Sequence, residues 1–162
     1  MDVEVRILDP RVQKWGFPQY GSAQAAGLDL YACIEKSLVI APQSDAVLVP
    51  TGIAVHIADP EWSAIVIPRS GQGHEKGLVL GNTIGLVDSD YTGQCFISLW
   101  NRNSSSEPKS AGAITISPGD RIAQLVLIRV IRPQWVPVTT FSRSTKRGES
   151  GFGSTGNNSE KN

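Results

Sequence analysis

Apolar and polar residues alternate with a period of two in six short stretches: VEVRIL at 3–8, AVLVPTGIAVHI at 46–57, SAIVI at 63–67, QCFISLW at 94–100, ITI at 114–116 and QLVLIRVI at 124–131. Such alternation sends successive side chains to opposite faces of an extended chain, so these read as half-buried strands. Between them lie APQSD, ADPE, GN, DSDYTG and SPGD, all rich in turn formers and spaced as in a sandwich or barrel. No segment carries a helical stripe of several turns. The best helical candidate is a single turn near SGQGHEK, whose two glycines argue against more. The expected fold is therefore all-β. Two stretches, LVIAPQSDAVLVPTGI and ITISPGDRIAQLVLI, each read strand, Pro-containing turn, strand. Paired hairpins of this kind suit a jelly-roll-like β-sandwich or barrel.

A chain of 162 residues with 40% hydrophobic content builds one core without staples. The expected domain is 1–141. After Phe141 the alternation stops, and SRSTKRGESGFGSTGNNSEKN holds one large apolar residue, Phe152, so 142–162 is expected to be a flexible C-terminal arm. NSSSEPKSAGA, 103–113, is polar and aperiodic, the pattern of a long exposed connection. Fifteen basic residues balance fifteen acidic ones, which leaves no electrostatic footprint for nucleic acid or an anionic membrane. The opening MDVEVRILDP is strand material, and no apolar run approaches a membrane span, so a soluble cytoplasmic protein is expected. Cys33 and Cys95 have no zinc-ligand spacing and read as buried and reduced. Two histidines, His56 in a strand and His74 in a Gly-rich loop, are too few for a zinc-hydrolase cluster. There is no P-loop signature.

Five polar islands begin or end strands. GLVDSDYTG, 85–93, packs Asp88, Asp90 and Tyr91 into four positions. It is either turn chemistry or a general base on a rigid strand end. PRSGQG, 68–73, offers Arg69 and Ser70 to a phosphate or as loop caps. GDRIAQL, 119–125, carries Gln124 and Arg121, the latter expected to pair structurally with a carboxylate. AGLDLYA, 26–32, points Asp29 away from its flanking leucines. GFGSTG, 151–156, is either an anion-binding nest or a Gly/Ser tail, with Phe152 placed to cover a flat ring. Together the islands point to one composite site.

In this order AGLDL, PRSGQG, GNTIGLVDSDYTGQ, GDRIAQ and RGESGFGSTG resemble the five motifs of the trimeric all-β dUTP pyrophosphatases (dUTPases), and the similarity runs from VRILDP to Gly156. The resemblance implies a jelly-roll subunit and a homotrimer with active sites at subunit interfaces. It implies Mg²⁺-dependent hydrolysis of dUTP to dUMP and pyrophosphate, which supplies the dTMP precursor and keeps uracil out of DNA. Asp88 matches the catalytic aspartate that deprotonates the attacking water. Asn82 and the hairpin backbone would read the uracil edge, and Tyr91 would lie against the deoxyribose and exclude a 2′-hydroxyl. Arg69, Ser70, Gly71 and Gln124 match phosphate contacts. Arg147, Phe152, Gly153, Ser154 and Thr155 match the arm, with the phenylalanine stacked on uracil. No side chain is expected to bind the metal directly; phosphates and water hold it, and Asp29 acts through water. Asp90 is secondary. The chain departs from the pattern in GSAQA before the first motif and in the length of 103–113. Two alternatives share the fold. A dCTP deaminase would carry a glutamate five residues after Gly93, where this chain has Ser98. A non-catalytic nucleotide-binding module would have lost the base or the arm, and both Asp88 and GFGSTG are present.

Overall fold

The computed structural model describes residues 1–104 and 112–149. The chain divides into two units, Met1–Ile131 and Arg132–Asn162. In the first unit, short antiparallel strands form two four-stranded sheets and a two-stranded one. One sheet is ordered β1 (Glu4–Ile7), β4 (Val47–His56), β8 (Gln94–Asn101), β6 (Leu78–Leu80). The other is ordered β2 (Leu28–Tyr31), β10 (Arg121–Arg129), β5 (Trp62–Ile67), β7 (Gly85–Val87). The small sheet pairs β3 (Leu38–Ile40) with β9 (Ile114–Ile116). The alternation explains the layering. On β8, Cys95, Ile97, Leu99 and Asn101 are buried while Phe96 faces out, and the inward residues meet Leu30, Ala64, Ile122 and Ala123 of the other sheet in one core.

The two strand–turn–strand stretches are not hairpins, which corrects that expectation. β3 pairs with β9, whereas β4 joins the first sheet against β8 and β10 joins the second against β5. Each stretch turns a corner from the small sheet into a large one. A three-residue strand offers its neighbour little, and β4 and β10 find longer ladders elsewhere.

The single helical turn expected near SGQGHEK is present as α2 (Ser70–Glu75), and a second short helix, α1 (Arg11–Lys14), precedes β2. α1 is fixed by charge. The Asp9 carboxylate accepts from the Arg11 backbone N–H at 2.9 Å and from Arg11 Nη2 at 2.8 Å, and these bonds hold its carboxyl well below the usual carboxylate range. Arg11 also lies 5.7 Å from the Trp15 ring centre, and that ring sits against Gly119, where a Cβ would come within 2.8 Å of it. Cys33 and Cys95 are buried free thiols, as expected, both pushed up by burial. His56 pairs with Glu4 at 2.9 Å on the surface of the first sheet. Asn101, 0% exposed, donates to the Ile40 and Gly112 carbonyls at 2.9 and 2.8 Å, tying down both flanks of the 103–113 connection. Residues 105–111 of that connection lie outside the described residues. In the second unit, residues 132–149 are exposed and carry no helix or strand.

Candidate active site

Three of the five islands meet at one point. β2 and β10 pair so that Gln124 lies opposite Asp29, and β10 and β5 pair so that Gln124 also lies opposite Ile67, two residues before Arg69. Asp29 is 9% exposed, and a carboxylate at that depth requires compensation. It receives three donors. Arg69 Nε donates to Oδ1 at 2.9 Å, Gln124 Nε2 to Oδ1 at 3.2 Å and Arg121 Nη1 to Oδ2 at 3.2 Å. Arg121 thus has the carboxylate partner that its position implied. Gly27 leaves room for the Gln124 amide, which lies 3.2 Å from where a Cβ would be. Ser70 and Gly71 are exposed at the start of α2, next to Arg69. The Tyr31 phenol is pushed up by burial and further by the Asp29 charge.

The remaining island of this unit forms a different site. Asn82, Gly85, Leu86, Val87, Asp88 and Tyr91 line a cavity of about 260 Å³ together with Phe96, Ile97 and Ser98 of β8. Asp88 is exposed, on a backbone pinned from both sides: Ser63 Oγ donates to the Val87 carbonyl at 2.7 Å, and the Ala58 N–H donates to the Ser89 carbonyl at 3.0 Å. The Tyr91 hydroxyl donates to the Gln94 carbonyl at 2.9 Å, which folds the ring over Gly93. The turn after β6 needs Gly81. At Gly81 a Cβ would come within 2.5 Å of Ala46 Cβ and 2.8 Å of Ser98 Oγ. Thr83 closes the turn at φ 67°, an uncommon conformation for a β-branched residue.

Within one chain these two sites stay apart. β7 is the third strand from β2, which at the usual strand spacing is roughly 14 Å across the sheet. Val87 pairs with Ala64, three residues along β5 from Ile67, which adds about 10 Å along the strands. Arg147 is exposed in the second unit. Phe152, Gly153, Ser154 and Thr155 lie outside the described residues. Asp90 is exposed in the turn after Asp88.

A family model described as dUTPase matches residues 13–156. The deoxyuridine 5′-triphosphate nucleotidohydrolase of Shigella flexneri serotype 5b is 49% identical over 155 residues, covering 95% of this chain and 97% of that protein. The chain belongs to the dUTPase family. Its activity is that of a dUTP diphosphatase, a hydrolase of nucleotide metabolism that cleaves dUTP. The nucleotidohydrolase of Salmonella typhi is 48% identical with the same coverage. Among solved structures, the dUTPase of Staphylococcus bacteriophage 80alpha with dUpNHpp matches at a TM-score of 0.81 and 26% identity, covering 96% of this chain and 98% of that one. A mutant dUTPase from phage phi11 of S. aureus, described as coordinating a structural Mg(II) ion, matches at 0.73 and 23% identity, with 88% of this chain and 100% of that one covered. The all-β architecture is the dUTPase fold. dUTPases use Mg²⁺. Among the described residues no helix is long and apolar enough to cross a membrane.

Proposed function

We propose that this chain hydrolyses dUTP at sites shared between the subunits of a homotrimer, with Asp88 as the general base. The observation that carries this reading is the separation of the two groups of residues. The Asp29, Arg69, Arg121 and Gln124 cluster suits a polyphosphate, the Asn82 to Tyr91 cavity suits a base and sugar, and one chain holds them too far apart for one nucleotide. A second copy supplies the missing half. Cyclic symmetry then repeats the junction at each interface.

Asn82 and the backbone of the hairpin bind the uracil edge. The Tyr91 ring, held by its bond to the Gln94 carbonyl, fills the space that a ribose 2′-hydroxyl would need. Asp88 takes a proton from a water molecule, whose oxygen attacks the α-phosphorus. The bond from that phosphorus to the bridging oxygen breaks, and pyrophosphate leaves. Arg69, Ser70, Gly71 and Gln124 hold the phosphates. Arg147, Phe152, Gly153, Ser154 and Thr155, on the arm proposed for 142–162, supply the remaining contacts, with Phe152 over the base. The donor set fits Mg²⁺ held by the substrate. Both Asp29 oxygens already accept from nitrogen donors, so Asp29 would reach the ion only through water. When bound, the ion neutralises phosphate charge that would repel an anionic base.

Pyrophosphate release from dUTP, dTTP, dCTP and UTP, measured side by side with ammonia release from dCTP, tests the reading. Only dUTP is expected to turn over at full rate, and a chelator is expected to abolish it. Ammonia from dCTP, or UTP cleaved as fast as dUTP, would contradict it.

A further inference from the structure

β10 carries a bulge where it passes β2. Gln124 lies opposite Asp29 and Ala123 opposite Leu30, but opposite Tyr31 lies Arg121, so Ile122 is the extra residue. Side chains alternate along a strand, and an unbroken ladder would send Arg121 to the face away from Asp29. The bulge reverses this and brings the guanidinium to Asp29 Oδ2. Beyond the bulge the two chains stay bonded in the shifted register: the Ala32 N–H donates to the Asp120 carbonyl at 2.8 Å, and the Gly119 N–H donates to the Ala32 carbonyl at 2.9 Å.

A buried carboxylate needs one positive partner, and Asp29 already has Arg69 at 2.9 Å. The second guanidinium exceeds what neutralisation requires. It leaves the cluster with a net positive charge, and it frees Arg69. Without Arg121, Arg69 could turn toward a phosphate only by leaving Asp29 with no cation beside it. We propose that Arg121 is a positioning residue, which holds Asp29 so that Arg69 engages the substrate phosphates while the buried carboxylate stays paired. The inference rests on the phosphate role of Arg69 given above.

The test is steady-state kinetics with dUTP for Arg121→Gln, Asp29→Asn, the double variant and Arg69→Gln. Arg69→Gln is expected to raise KM. Arg121→Gln is expected to raise KM roughly tenfold or more, with a smaller change in kcat. Added to Asp29→Asn, the same Arg121→Gln change should alter KM by less than about twofold, because no carboxylate remains to be held. Should Arg121→Gln alone fail to fold, the comparison of Asp29→Asn with the double variant decides, since neither leaves a buried carboxylate unpaired. An Arg121→Gln loss of similar size in both backgrounds would overturn the inference, as would an unchanged KM beside a raised one for Arg69→Gln. A KM unmoved by Arg69→Gln would overturn the phosphate role of Arg69 and this inference with it.

Discussion

Carboxylates in this chain differ by what surrounds them. Asp9 is locked to Arg11, and Asp29 is buried under three donors. Asp88 stands exposed at the mouth of a cavity, on a backbone whose neighbouring carbonyls are tied to Ser63 and Ala58. The hydrogen bonds that fix the turn come from the main chain and from Ser63, so the Asp88 carboxyl group is not what holds the hairpin. Asp88→Asn is therefore expected to leave the thermal midpoint and dUTP binding close to wild type while lowering kcat by roughly 10²–10⁴-fold. Calorimetry and single-turnover assays on the same preparation check this, and unchanged turnover would remove Asp88 from the mechanism. The aspartate was legible in the sequence only as one of two readings of a turn. Arg121 was legible as a partner for some carboxylate, but its connection to Arg69 was not. The bulge that turns it toward Asp29 leaves no mark in the alternation.

At the level of elements, the connection between the paired strands β6 and β8, which includes β7, carries the base and sugar pocket, and its glycines are where its shape can be altered. A Cβ on Gly93 would lie 2.5 Å from Tyr91 Oη and 2.7 Å from Cζ. Those atoms are the far end of a side chain that is 45% exposed, so the ring can swing away without disturbing the core. Gly93→Ala is expected to fold normally, to break the bond from Tyr91 to the Gln94 carbonyl and to erode the preference for dUTP over UTP by roughly tenfold. The ratio of kcat/KM for the two nucleotides measures it, and a ratio equal to wild type would mean the sugar is read elsewhere. Strands long enough to repeat their pattern, such as β4, β8 and β10, were visible in the sequence. β6 and β7 were not, because LVL at 78–80 is apolar throughout and shows no period of two, and β7 reads as part of its turn. The corners were misread as hairpins because a strand, a proline turn and a strand look the same whether the two strands pair with each other or with different sheets.

For the whole molecule, the central claim is that the base pocket and the phosphate cluster of one active site come from different chains. Five polar islands were enough to expect a composite site, but the sequence could not say which of them one chain brings together. The order and register of β2, β10, β5 and β7 settle that within a chain, by gathering three islands around Asp29 and leaving the fourth after β7, three strands from β2 and alongside the Ala64 end of β5 rather than its Arg69 end. The direct measurement is subunit mixing. Asp88→Asn chains lack the base and Arg69→Gln chains lack the phosphate contact, so each alone is expected to be nearly inactive at dUTP below KM. In a ring of three, every mixed trimer holds one site built from an intact pocket and an intact cluster, so random exchange at equal amounts should restore about a quarter of wild-type activity. Activity that stays at the level of the separate variants, after mass spectrometry has verified exchange, would contradict the account and place each site within a single chain.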